Sequence, residues 1–166
     1  MRHATIEDFD VVKGIFKENR DVFPYLRFDS LKNKIKEGKV VYDTGVVITY
    51  NKYKRKQKLG NVEAKMGDIV IQEIVKEEGG SAVDVFVRFV DFVDEDVWLT
   101  VRRDNKRAKK FYDKVGMELV GEVFWSKGTL AGDVYLYRQN PAIGLGATAG
   151  LMFHELPLII NHYPTP

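Results

Sequence analysis

Three places in this 166-residue sequence carry groups that can do chemistry. The first is Glu77-Glu78-Gly79-Gly80-Ser81-Ala82, where a β-rich run ends in two glycines just before a helix start. Such a turn gathers backbone N–H groups at the positive end of a helix, which suits a diphosphate. The second is a pair of acids, Asp68 and Glu73, in the β-branched run from Asp68 to Lys76. They stand an odd number of residues apart, so strict alternation puts them on opposite faces and lets only one line a site. Glu73 is mid-strand, where an acid without a task is costly. The third is Tyr112, on a helical face with Ala108, Phe111 and Val115. A phenol of ordinary pKa, about 10, is protonated at neutral pH and can give its proton to a departing anion.

Other chemistries are excluded by what the chain lacks. It has no cysteine, hence no disulfide, no thiolate metal site and no cysteine nucleophile. His3, His154 and His162 are too scattered to suggest a metal site, and no Ser-His-Asp set can be assembled. The first eight residues, Met1 to Asp8, contain no apolar leader segment, and no uncharged apolar run of about 20 residues occurs. A cytoplasmic protein without a membrane span is the expectation. The net charge of +2 calls for no polyanionic partner. Five Lys/Arg between Lys52 and Lys58, with Tyr53 among them, form the one stretch suited to nucleic acid, which ranks behind a small-molecule partner.

These groups must be held by regular elements, and the sequence marks them. Thr5 with Asp8 reads as a capped helix start, followed by Phe9, Val12, Ile15 and Phe16 at helical spacing. Ser30 reads as the cap of a short second helix with Leu31 and Ile35 on one face and Gly38 as its stop. Val40 to Tyr50, broken by Asp43-Thr44-Gly45, reads as a hairpin. Ser81 to Val93 is rich in valine, yet Asp84, Arg88, Asp91 and Glu95 draw a narrow polar stripe at intervals of four, three and four, which predicts a largely buried helix. Val97 to Val101 reads as a central strand, Asp104 to Val115 as a helix, and Leu119 to Trp125 and Asp133 to Arg138 as two more strands. After Arg138 the composition changes. Residues 139–166 carry one formal charge, Glu155, and no clear period. Two segments are therefore predicted: a domain over 1–138 and an apolar extension over 139–166 that is docked, exchanged in a homodimer or disordered.

Residues Val101 to Met117 carry a specific pattern: a strand, then Asn105, Ala108 three later, Tyr112 seven later and Gly116 four beyond. This resembles a signature of the GNAT acyltransferase superfamily, with Met117 where phenylalanine is usual. The resemblance spans roughly residues 2–138 and is densest over 97–122. It implies an α+β fold: a mixed, mostly antiparallel central sheet of about six to seven strands flanked by about four helices. It implies acetyl-CoA as cosubstrate and transfer of its acetyl group to an amine by direct attack. A non-catalytic acyl-CoA-binding or nucleic-acid-binding module of the same fold is the alternative.

Carried onto this sequence, the resemblance implies an opening between the strand at Asp68–Lys76 and that at Val97–Val101. The diphosphate would rest on the amides of Gly79, Gly80, Ser81, Ala82 and Val83. The pantetheine arm would pair with backbone near Ile74 and Lys76, and Asn105 would contact it. Tyr112 would approach the sulfur as general acid, with Phe111 beside it and Lys109 among six basic residues near the phosphates. Glu73 is preferred as the base, with Asp68 or a water as alternatives. Asp68 lies nearer the position where several family members carry an acid. One departure stands out: Glu77 occupies the position of a usual Gln or Arg, and a like charge beside a diphosphate costs affinity unless it points away. The acceptor, a small-molecule or peptide amine, has no recognisable motif in residues 20–66.

Overall fold

The computed structural model describes residues 1–139 together with the pair 160–161. The Thr5 N–H donates to Asp8 Oδ2 at 2.8 Å, as the spacing predicts, and a short 3-10 turn runs into α1 (Phe9–Glu18). Arg2 also bonds Asp8, and its guanidinium holds that carboxyl at about 2. The second helix, α2 (Phe28–Lys36), departs from expectation at its start. Arg27, extended at φ −99° and ψ 128°, is the N-cap residue, so Ser30 sits inside the first turn rather than capping it. Leu31 and Ile35 are buried, as their spacing requires.

Strands β1 (Val40–Asp43) and β2 (Val46–Lys52) form the expected hairpin, with Thr44 and Gly45 both at positive φ. That is the turn class whose twist matches the strands it joins. A second hairpin follows, β3 (Gln57–Leu59) and β4 (Val62–Ala64), across Gly60-Asn61. It absorbs the end of the basic stretch, which the sequence reading leaves as an unassigned segment. Strand β5 (Ile69–Lys76) leads into α3 (Ala82–Val93), then β6 (Val97–Arg102), α4 (Lys106–Lys114), β7 (Glu118–Trp125) and β8 (Leu130–Tyr137). Ser81 caps α3 as expected, its Oγ accepting from the Asp84 N–H, and Asn105 caps α4 by accepting from Ala108 N–H at 3.1 Å.

The sheet order is β1-β2-β5-β6-β8-β7, antiparallel except for β5 and β6. A final short strand, β9 (Ile160–Asn161), pairs with β5. One face of the sheet packs under α3 and α4, burying Phe86, Phe89, Leu99, Ala108 and Tyr112 among others. Burial of a phenylalanine or leucine of this set contributes roughly 1.5–3 kcal/mol. The other face carries α1 and α2 over β1, β2 and β5, and the β3–β4 hairpin over Trp98, Val134 and Leu136. Gln139 is still tied to the body: its N–H reaches Asp96 Oδ1 at 2.8 Å and its side-chain amide donates to the Val90 carbonyl. The expected docking, exchange or disorder of the extension falls outside the described residues, save for the β9 pair. Among the described residues, no helix is long and apolar enough to cross a membrane, and no group of three metal-ligating side chains occurs.

Candidate active site

Strands β5 and β6 touch at only two registered pairs, Ile69↔Val97 and Val70↔Trp98. Beyond Val70 they part. The β5 backbone pairs with β2 along its other edge throughout, so its inner edge opens toward a splay between the two central strands. Glu73 and Ile74 of that inner edge are met by Asn161 and Ile160 of β9.

Glu73 enters this region through an irregularity. Thr49 on β2 pairs with Glu73, but the next residue, Tyr50, pairs with Ile71, which leaves Gln72 as a bulge. Ile71 and Ile74, three residues apart, consequently share the face packed by α3. The odd-spacing argument thus fails here, and Asp68 and Glu73 do not point to opposite faces. Asp68 accepts from the Trp98 indole N–H at 2.8 Å and from the Lys65 N–H at 2.8 Å, beneath the β3–β4 hairpin. Glu73 lines a cavity under the same hairpin. The two acids separate by partner rather than by face: Asp68 is 3% exposed and holds structure together, whereas Glu73 is held by Thr49 and lines the cavity.

The Thr49 hydroxyl donates to Glu73 Oε1 and accepts from the Glu73 N–H at 3.1 Å. Burial pushes the Glu73 carboxyl up, opposed by the Thr49 bond and by the charge of Lys34. Lys34, on α2, donates to the Tyr50 carbonyl at 3.0 Å and to Asn51 Oδ1 at 3.3 Å. Burial lowers its amine to about 8, with the charge of Glu73 working the other way. Sequence reading misses Lys34 because its partners lie 16 and 17 residues away on another element.

Tyr112 lies on the other face of the sheet, fully buried in the core on the α4 side. Its ring packs against Tyr135 at 5.2 Å and Phe111 at 6.0 Å between centroids. Burial, and secondarily Tyr135, raises its hydroxyl well above the ordinary value, so the phenol is neutral throughout the physiological range. Phe111 itself is 6% exposed and meets Phe86 of α3 edge to face.

The glycine turn closes as the sequence implies, with one difference. The Gly80 N–H donates to the Glu77 carbonyl at 3.1 Å, and Lys76 Nζ donates to the Gly80 carbonyl at 2.7 Å. Gly80's amide therefore builds the turn. Glu77 folds back on the β1–β2 turn: a Cβ on Gly45 would lie 2.7 Å from its Oε1. Of the basic residues near α4, Lys109 pairs with Asp133 at 2.6 Å, Arg103 bridges Asp133 and Glu122, and Arg102 pairs with Asp104.

No protein-family model matches the chain, and no curated protein matches it. Solved structures do. A GNAT-family acetyltransferase from Bacillus cereus ATCC 10987 aligns with a TM-score of 0.59 at 15% identity, over 84% of this chain and 96% of that one. Ard1 from Thermoplasma volcanium gives 0.59 at 18% identity, over 84% and 97%. Arabidopsis thaliana NAA60, solved with a bisubstrate analogue, gives 0.57 at 17% identity, over 84% and 98%. The fold is the GNAT fold.

Within the GNAT fold, this chain's Asn105–Ala108–Tyr112–Gly116 pattern has a structural content of its own. Asn105 caps α4 through Ala108 N–H, fully buried Ala108 lets the helix approach the sheet, and Tyr112 lies one turn further on the same buried face. The Gly79 position, at φ +87° with nothing within 4 Å of an added Cβ, leaves room for a charge test. If this turn holds a diphosphate, Gly79→Asp is expected to weaken acetyl-CoA binding about tenfold or more relative to Gly79→Asn, because both residues tolerate that backbone and differ in charge. Isothermal titration of the two variants checks this. Equal affinities would move the diphosphate away from the turn.

Proposed function

We propose that this chain is an N-acetyltransferase that binds acetyl-CoA in the splay between β5 and β6 and transfers the acetyl group to an amine. The supporting observation is that β5 and β6 part beyond Val70, with Glu73 of β5 lining a cavity that also takes in Thr100 of β6; Tyr112 lies in the core on the other face of the sheet. Direct transfer needs a base within reach of the amine nitrogen and an acid within reach of the leaving sulfur. Glu73, directly or through a water, takes the ammonium proton. The nitrogen then attacks the carbonyl carbon, the carbon–sulfur bond breaks and Tyr112 protonates the thiolate, while the second proton that the nitrogen loses as the amide forms passes through water and restores the phenol. The amides of Gly79, Ser81 and Ala82, at the start of α3, would hold the diphosphate, with Gly80 shaping the loop. Lys109, paired with Asp133, would act by fixing α4 to β8.

Acetyl-CoA at about 100 times its Kd is expected to add about 2.7 kcal/mol to stability. For a domain of this size that is a Tm increase of about 5–10 °C. A folded protein that shows no shift at millimolar acetyl-CoA would overturn the assignment.

The pantetheine arm and β9 would use the same stretch of β5, since Asn161 and Ile160 pair with Glu73 and Ile74. Deleting residues 139–166 is therefore expected to leave a folded domain whose acetyl-CoA affinity equals or exceeds that of the full chain. An unfolded truncated chain would place the extension in the core. A folded one with weaker binding would show that the extension helps hold the cosubstrate.

A further inference from the structure

We infer that the cavity beneath the β3–β4 hairpin takes a compact amine with a single ammonium group and an apolar or aromatic body. As the acceptor site it rests on the acetyl-transfer reading. The cavity, about 430 Å³, has the size of a small-molecule site. Its floor includes Val70 to Glu73 of β5 and Thr100 of β6, the two arms of the splay, so an occupant faces the line along which a thioester would lie.

The lining chemistry selects the occupant. Glu73 is the one carboxylate among the described lining residues and would pair with the ammonium. Tyr53 and Trp125 supply aromatic faces, and Leu59 an aliphatic one. Burial, and secondarily Asp68, pushes the Tyr53 hydroxyl up to about 12, so that wall stays uncharged. An aromatic face attracts a cation close by and packs well against an apolar body. Lys58 contributes the opposite charge from β3. A second ammonium on the occupant would meet Lys58 and no second acid, which disfavours a polyamine.

The hairpin also limits length. Its turn is pinned to β7: Asn61 N–H donates to the Glu122 carbonyl at 3.2 Å, and Glu122 N–H donates to Asn61 Oδ1 at 2.8 Å. Gly60, at φ +62°, fits so closely that a side chain would overlap the Glu122 carbonyl. A polypeptide acceptor leaving along this side would have to break that pin. The Trp125 wall is fixed too, since its ring lies over Gly132, where a Cβ would come within 2.5 Å of it.

The test uses the full chain with phenethylamine, spermidine and a short peptide with a free N-terminus. Binding is followed by calorimetry and acetyl transfer by thiol release from acetyl-CoA. Phenethylamine is expected to bind at least tenfold more tightly than either competitor and to be acetylated. Trp125→Leu should weaken its binding at least fivefold without altering acetyl-CoA binding. Lys58→Glu, a change at an exposed residue, adds a second acid and should shift preference toward spermidine at least tenfold. Tighter binding of spermidine or the peptide by the unaltered chain would overturn the inference, as would failure of all three to bind. An unchanged preference in Lys58→Glu would overturn the role given to Lys58. Phenethylamine binding that depends on Trp125, with no thiol released, would uphold the cavity's ligand and overturn acetyl transfer.

Discussion

Tyr112→Phe is expected to lower kcat by about 100- to 10,000-fold, the range typical of a positioned general acid. The substitution keeps the ring and removes one hydroxyl. The packing on Tyr135 and Phe111 is retained, so KM for acetyl-CoA should change little. The loss belongs in kcat because the sulfur takes on charge only as the carbon–sulfur bond breaks. Stability should fall by no more than about 1.5 kcal/mol, the net contribution of one hydrogen bond. A tyrosine that only packs gives the opposite pattern, a stability change with kcat intact. Full turnover in Tyr112→Phe would assign this residue to the core and leave the proton to another donor.

How much of this was legible in the sequence depends on the distance over which each cause acts. Local causes read well. The capping of α3 by Ser81, the polar stripe that made a valine-rich segment a helix, and the turn at Asp43-Thr44-Gly45 are all settled within a few residues. The Asn105-to-Gly116 pattern likewise pointed to the GNAT fold, because its spacing combines a cap, a small packing residue and a buried ring. Causes that act between elements did not read. The bulge at Gln72 is set by the registry of β5 on β2, and it reversed the parity that separated Asp68 from Glu73. Asp68 is made structural by an indole 30 residues away. The Gly60-Asn61 turn was a usable hairpin signal, obscured by the lysines before it. Trp125 and Tyr53 come to line one cavity only once that hairpin docks on β7.

The final expectation concerns Glu73, and its two halves run in opposite directions. Glu73→Gln should lower kcat/KM at neutral pH by about 100-fold or more, as loss of a general base does. It should also remove the acidic limb of the pH profile. Because burial raises the Glu73 pKa, that limb in the unaltered chain is expected at higher pH than an ordinary carboxylate would give. Lys34 opposes the rise, so Lys34→Met should move the limb to still higher pH without removing it. Stability changes the other way. A carboxyl whose pKa is raised by folding binds more protons folded than unfolded between the two values. Its contribution is fully present below the unfolded pKa and is lost as pH rises through the folded one. Above the unfolded value Glu73 therefore weighs against the fold, and Glu73→Gln, which still accepts the Thr49 hydroxyl bond, should raise Tm at neutral pH. Melting curves across pH 4–8 separate the roles. A variant with higher Tm and lost activity identifies an acid kept charged for chemistry, whereas a lower Tm with an unshifted acidic limb would assign Glu73 to structure and the proton to water.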